Sequence, residues 1–259
     1  MKAASARPHL RGKLILAGLL FYFLFLLIQL PVAWLITKLP ADTPIRFGDA
    51  KGTLWNGTLE DIIWQVNYDR IRLGHLSWRW LPAEILSGRI GFKFELTQAG
   101  NPLTGVLLLG KNNHTLKNVQ GRVDAALLGV ASRPFGLLQP QGSLVLDIAN
   151  LYQSTNRIHG AARLDWQGAR SGLVASSLGD YRAELKADPD GRRARIEVTT
   201  LQGPLAIIGN GQYQPGKDLQ GSLRLTPPQD DSSKVFQPVL NLLGRPDATG
   251  TWSLFFNPR

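Results

Sequence analysis

A stretch near the start of the chain, residues 14–36, carries no charged side chain, and it constrains the fold more than any other feature of the sequence. At about 1.5 Å per residue a helix of this length reaches roughly 34 Å, enough to cross a hydrocarbon core of about 30 Å. The sequence therefore predicts one transmembrane helix over residues 14–36. The residues predicted to anchor this helix in the membrane include Leu14, Leu20, Phe25, Ile28, Trp34 and Ile36.

The charges on either side of this stretch predict the orientation of the helix in the membrane. Residues 1–13 contain four basic side chains and no acidic one, whereas Asp42 and Asp49 follow the apolar stretch. Basic flanks stay in the cytoplasm. We therefore expect a cytoplasmic tail over residues 1–13 and a periplasmic domain over residues 37–259, with Trp34 near the periplasmic interface. Because Pro31 comes late, we expect it to kink only the last turn.

A cleaved signal peptide is the competing interpretation of the same segment. Signal peptides have apolar regions of about 7 to 15 residues that end at a small-x-small cleavage site. The run here is longer, and the best candidate site, residues 39–41, has leucine where a small residue is required. A permanent anchor is therefore the favoured interpretation.

After residue 40 the pattern changes to short segments in which apolar and polar residues alternate, separated by turn residues, which is typical of β-strands. In residues 73–80 the alternation predicts Leu76, Trp78 and Trp80 on one face of a strand. Glycines precede several of these segments and favour bends or bulges. We predict a mainly β fold, with a curved, mostly antiparallel sheet resembling a half-pipe and short helices near residues 82–86 and 235–244. The predicted strands are residues 62–68, 73–80, 89–96, 103–109, 119–125, 142–148, 158–166, 181–187, 195–201, 204–213, 219–225 and 249–256.

No residue pattern in the chain indicates catalysis. The absence of cysteine excludes disulfides, iron-sulfur clusters and thiol nucleophiles, and the four histidines are scattered without metal-ligand spacing. Residues 105–111 have the glycine and lysine spacing of a phosphate-binding loop, but Asn112 replaces the required serine or threonine and the interior is apolar. We predict no catalytic residue, no cofactor and no metal.

The formal net charge is +10. A basic surface could meet anionic lipid, acidic proteins or nucleic acid, and charge alone does not choose among them. Behind a membrane anchor we expect no nucleic-acid partner. The chain has seven tryptophans, and core packing explains most of them; the alternative is that some line an apolar groove for a lipid or a partner segment.

Two tryptophan-bearing segments carry a resemblance to a known family. A Gly-Thr-Leu-Trp-Asn-Gly box at residues 52–57 is followed by Leu-Ser-Trp-Arg-Trp at residues 76–80. With the basic tail, single span and glycine-led strands, the chain resembles the type II secretion system protein N (GspN) family. The structural motif residues of this resemblance are Gly52, Thr53, Leu54, Trp55, Asn56, Gly57, Trp78 and Trp80.

This resemblance implies an accessory inner-membrane component of the machinery that moves folded proteins from the periplasm across the outer membrane of Gram-negative bacteria. Its partners would be inner-membrane lipid and other type II secretion components, and exposed strand edges could dock them. The same architecture also resembles the AsmA and TamB type of envelope proteins. The alternative function is therefore lipid binding or lipid transfer, with a lipid ligand in the sheet.

Overall fold

The computed structural model describes residues 8–38, 40, 43–66, 69–131, 136–242 and 244–256. The described chain is mainly β, as predicted, and all of the predicted strands are present; Asn67 and Tyr68, at the end of the first, lie outside the described residues. The strands are β1 Ile45–Arg46, β2 Ala50–Gly52, β3 Asn56–Val66, β4 Asp69–Leu81, β5 Ile90–Gln98, β6 Asn101–Leu109, β7 Asn113–Asp124, β8 Pro140–Ser154, β9 Ile158–Ser171, β10 Gly179–Ala187, β11 Ala194–Gln202, β12 Ala206–Tyr213, β13 Gln220–Thr226 and β14 Trp252–Phe256.

The strands form one open antiparallel meander. From β3 to β14 each strand pairs with the next along the chain, and the short strands β1 and β2 both pair with the remaining side of β3. Alternate connections therefore lie at opposite ends of the strands. We call the end with the β2–β3, β4–β5, β6–β7, β8–β9, β10–β11 and β12–β13 connections the anchor end, because the N-terminal helices join it.

The apolar segment forms two helices, α1 at Pro8–Ile28 and α2 at Val32–Ile36, where the sequence predicts one helix over residues 14–36. The break has a physical reason. Pro31 has no N–H group and restricts the residue before it, while the Leu30 carbonyl accepts a 2.9 Å hydrogen bond from the Leu54 N–H and Pro31 forms an isolated β-bridge with Thr53.

Within the part of the chain that the structure describes, none of the helices combines the length and the apolar character expected of a membrane span.

Short helical segments lie in several of the connections between strands. The helix predicted near residues 82–86 is a 3₁₀ helix, Pro82–Ser87. The helix predicted over residues 235–244 begins earlier, as a 3₁₀ turn at Asp231–Phe236, and continues as α4 at Gln237–Asn241; Leu243 lies outside the described residues. A helix that the sequence did not predict, α3 at Leu127–Ala131, is too short to show a helical period.

A hydrogen bond between distant strands shows that the sheet is strongly curved. Gln153 on β8 donates to the Tyr213 hydroxyl on β12 at 2.8 Å. Three strands lie between them, so a flat sheet would separate β8 and β12 by about 19 Å at about 4.8 Å per strand. The sheet therefore curls toward the face that carries Gln153 and Tyr213, which we call the inner face.

Side chains on the inner face form the two main clusters of the core. In the first, the segment that contains α4 packs on strands β10 to β14 through Phe236 and Leu240. In the second, α3 packs against Val123 and Leu144 on β7 and β8. Both helical segments lie at the end of the sheet opposite the anchor end. At this opposite end, the inner face is therefore covered by the protein's own helices.

Candidate functional site

The Gly-Thr-Leu-Trp-Asn-Gly box forms the tight connection between β2 and β3. The Thr53 N–H donates to the Asn56 carbonyl at 2.8 Å, and the Thr53 hydroxyl accepts from the backbone N–H groups of Trp55 and Asn56 at 3.3 and 3.2 Å. Gly52 has a φ of +87°, a left-handed conformation that L side chains rarely adopt. The turn residues of this motif therefore have a structural explanation.

Tryptophans join this turn to the rest of the molecule. The Trp55 indole N–H donates to the Leu27 carbonyl of α1 at 2.8 Å, and the Trp55 and Trp80 rings lie 4.9 Å apart. The Trp78 indole N–H donates to the Leu54 carbonyl at 2.9 Å. Together these contacts connect helix α1 to the anchor end of the sheet.

Gly57 completes this arrangement because no side chain fits at its position. A Cβ atom there would stand 2.6 Å from the Trp78 ring and 2.9 Å from the Thr53 carbonyl oxygen. The structure thus brings the whole predicted motif together at one place, which we call the tryptophan junction: residues 52–57 with Trp78 and Trp80.

The predicted anchoring residues lie on α1 and α2. The large apolar side chains of residues 14–28 are between 45% and 71% exposed, so the sheet covers none of them. Trp34 on α2 is 51% exposed and carries the Lys38 ammonium 5.5 Å from its ring centre, whereas Ile36 is partly buried. Residues 1–7 of the predicted tail, and Leu39 and Ala41 of the alternative cleavage site, lie outside the described residues.

The inner face of the sheet is apolar across its full width. Strand pairing puts Leu76, Trp78 and Trp80 opposite Leu96, Phe94 and Phe92, on the face that the alternation predicted. Many of these side chains are only partly buried, so the curl presents an apolar concave surface. Members of this surface on the later strands include Leu146, Leu164, Trp166, Ala183, Leu185, Ile196, Val198, Leu223 and Leu254.

The outer face carries charges in complementary cross-strand pairs. Arg182 binds Asp165 through two hydrogen bonds of 2.7 and 2.8 Å, and Glu184 lies 3.5 Å from Arg163 and 2.9 Å from Lys186. The hydrogen bonds from Arg182, aided by its charge, lower the pKa of the Asp165 carboxyl. Around β9 and β10 the outer face is therefore polar, and its charges are matched.

The two edges of the sheet differ. At one edge β1 and β2 are two and three residues long and bear Arg46 and Lys51, features that discourage further strand pairing. At the other, β14 has the uncharged sequence Trp-Ser-Leu-Phe-Phe, and Phe255 is 63% exposed. β14 pairs with β13 along one side, and no described strand pairs with its other side.

The structure offers no chemical centre in the part of the chain that it describes. No group of three or more histidine, aspartate or glutamate side chains among those residues is arranged to hold a metal ion. Residues 105–109 of the phosphate-loop candidate lie inside β6, where the space beside Gly105 is filled by Val119 and Phe94. The expectation that the chain has no catalytic residue and no cofactor stays a prediction.

Two surfaces were not predicted from the sequence. Ile85 and Leu86 on the 3₁₀ helix at the anchor end are 52% and 93% exposed. The difference between the β14 edge and the β1–β2 edge was also not predicted. For the Ile85–Leu86 surface, the available signal was an adjacent isoleucine and leucine in a short segment after Pro82. The difference between the edges depends on strand order, which only the folded structure shows.

Of three comparisons with known proteins, one gives a match. No curated protein and no solved structure matches the chain. The family model described as type II secretion system (T2SS), protein N, matches residues 43–254, which include the junction, its paired strands and nearly all of the sheet. This match over most of the sequence confirms the resemblance. The chain therefore belongs to the type II secretion system protein N family.

Proposed function

We propose that this protein is an accessory inner-membrane component of the type II secretion machinery of a Gram-negative bacterium and acts through protein contacts without catalysis. The observation that carries this proposal is the family match over residues 43–254. In this arrangement residues 1–13 are a cytoplasmic tail, residues 14–36 are the anchor and residues 37–259 are periplasmic. The other components of the machinery are its partners.

The exposure of helix α1 supports the membrane anchor. Residues 14–28 contain no charged side chain, and their large apolar groups are 45% to 71% exposed. Apolar area of this extent is unfavourable in water and favourable in lipid. The basic residues before the helix support a cytoplasmic N-terminus, and Trp34 with Lys38 suits the opposite interface.

The β14 edge supports a role in protein contacts. An uncharged strand with unpaired backbone groups on one side can accept a strand from another chain. Of the two edges, β14 has the more suitable composition, with Leu254 toward the inner face and Phe255 exposed toward the outer face. We propose this edge as the docking site for another secretion component.

Secretion assays test the proposal. Removing the gene, or residues 14–36, is expected to lower the extracellular amounts of secreted enzymes while their export into the periplasm continues. The variant Phe255→Lys is expected to lower secretion as well, because a lysine on an edge strand opposes pairing. The measurement is the amount of each enzyme in medium and periplasm, with immunoblots for the level of the variant.

Ile208→Lys is the matched control for the docking edge. Ile208 is 62% exposed and opposes Arg224, which in turn opposes Ser253, two residues before Phe255 on the same face. Ile208 lies on an interior strand, however. A lysine there opposes Arg224 and lowers stability somewhat, so we expect normal secretion per amount of folded protein. Unchanged secretion without the gene, in a strain that needs every component, would contradict the proposed function; equal effects of the two lysine variants would contradict the docking edge alone.

The inner face favours lipid binding as a second candidate function. Partly exposed apolar side chains such as Leu185, Ile196 and Leu254 form a concave surface that suits acyl chains. This function predicts that phospholipid co-purifies with residues 41–259. Mass spectrometry that finds no bound phospholipid would count against it.

A further inference from the structure

The 3₁₀ helix Pro82–Ser87 exposes an apolar pair at the anchor end of the sheet. Leu86 is 93% exposed and Ile85 is 52% exposed. Ile90 and Leu109, a cross-strand pair at the same end, are 43% and 40% exposed. Single exposed leucines are ordinary on protein surfaces. Four exposed apolar side chains at one end of a sheet, however, indicate a surface that contacts another apolar phase or molecule.

The position of this helix identifies the partner. Trp80 precedes the 3₁₀ helix by two residues and lies 4.9 Å from the Trp55 ring, and the Trp55 indole binds the last turn of α1. The apolar surface of α1 and that of the 3₁₀ helix are therefore connected through two tryptophans, the residue type enriched at membrane interfaces. A membrane that holds α1 lies beside the 3₁₀ helix.

The charges of the turns differ between the two ends of the sheet. At the anchor end, residues 53–55, 82–89, 110–112, 155–157, 188–193 and 214–219 contain six basic and four acidic residues. At the opposite end, residues 67–68, 99–100, 125–139, 172–178, 203–205 and 227–251 contain three basic and three acidic residues. The exposed basic side chains of the anchor-end turns are Lys111, Arg157, Arg192, Arg193 and Lys217.

We propose that the anchor end of the sheet rests on an anionic membrane surface, with Ile85 and Leu86 inserted at the level of the lipid headgroups and the basic turns facing them. This inference rests on the proposed anchoring by residues 14–36 and adds an orientation to it: the strands stand away from the membrane, and the end that carries α3 and α4 points into the periplasm. A short apolar turn with basic neighbours is suited to such a surface.

The cysteine-free sequence permits a direct test in the full-length protein. Single cysteines are placed at Leu86, at Leu24 in α1, and at Leu201, which is 48% exposed at the opposite end of β11. Each is labelled with an environment-sensitive fluorophore, and the protein is reconstituted into vesicles of phosphatidylcholine and phosphatidylglycerol that contain a nitroxide-labelled lipid. We expect quenching at positions 24 and 86 and none at position 201.

The three positions separate failure of the inference from failure of the anchor. Quenching at position 24 without quenching at 86 would overturn the orientation and leave the anchor in place, whereas no quenching at position 24 would overturn both. A blue-shifted but unquenched probe at position 86 would indicate burial against a second copy of the chain and would also overturn the inference.

Lipid charge tests the electrostatic part. One basic residue near an anionic surface changes membrane affinity by about fivefold. We therefore expect quenching at position 86 to fall in vesicles of phosphatidylcholine alone and to fall similarly in the combined variant Lys111→Gln, Arg157→Gln, Lys217→Gln. Equal quenching in both lipid mixtures would overturn the role proposed for the basic turns.

Discussion

Replacing Phe236 by alanine is expected to lower the free energy of unfolding by about 3 to 5 kcal/mol, the range for removing a buried phenylalanine. Phe236 is 2% exposed and belongs to the cluster with Leu205, Leu225 and Trp252, which are 0%, 7% and 6% exposed. Its removal leaves a cavity between the helical segment and strands β10 to β14. Urea unfolding of the detergent-solubilised protein, followed by tryptophan fluorescence, measures the change.

Val235→Ala is the control for this variant. Val235 is the preceding residue of the same 3₁₀ turn and is 39% exposed. Surface substitutions of this kind usually change stability by less than about 0.5 kcal/mol. Similar losses in the two variants would mean that the helical segment contributes through its backbone alone and would contradict the packing described for the first core cluster.

Replacing Gly160 by valine is expected to destabilise the protein by about 3 kcal/mol or more, through backbone strain and steric overlap together. Gly160 has a φ of +105°, and a Cβ atom at this position would collide with the backbone carbonyl of Asn150 on the neighbouring strand. The β8–β9 register shifts between Asp147 and Asn150, beside this contact. Strand β9 must therefore distort or lose pairing with β8. The same urea titration reports the loss.

Ala161→Val, one residue along the same strand, is the matched control for the glycine variant. Ala161 is exposed and pairs with Lys186 and Asn150 on the two flanking strands. Valine is favourable in strands, so we expect little change in stability. A stable Gly160→Val protein with unaltered fluorescence would show that the curl of the sheet does not depend on a glycine at this bulge.

The glycine variant also bears on function, since Gly160 lies outside both the proposed docking edge and the tryptophan junction, whereas Phe236 packs in the cluster with Trp252 of the edge strand β14. If the protein acts through its docking edge, the secretion activity of the Gly160→Val protein should follow the amount of folded protein. Activity lost in a fully folded Gly160→Val protein would instead indicate that the inner face contacts a ligand or partner.

Much of the fold could be predicted from local chemistry. Alternation of apolar and polar residues places side chains on opposite faces of a strand, so the segment with Leu76, Trp78 and Trp80 was assigned to one face before its partners were known, and β4 confirms it. Glycines in strands predicted bends or bulges, and the register shift beside Gly160 in β9 confirms that prediction at one position. These features depend on neighbouring residues only.

Other features required contacts between distant segments. The apolar run alone predicts one helix over residues 14–36, but the helix ends at Ile28 because the Leu30 carbonyl and Pro31 pair with residues 53 and 54. The direction of the curl depends on contacts such as Gln153 with Tyr213, 60 residues apart. No local pattern contains that information.

By itself the sequence determined the class of the protein: an apolar N-terminal segment, a sheet of alternating strands and a tryptophan box that marks its family. The tertiary structure decided what the box does, which edge is left unpaired and which end of the sheet carries α1, Leu86 and the basic turns. The physical reason is that face and turn preferences act between near neighbours, whereas curvature, edge identity and the meeting of helix and sheet arise only when strands far apart in the chain pack together.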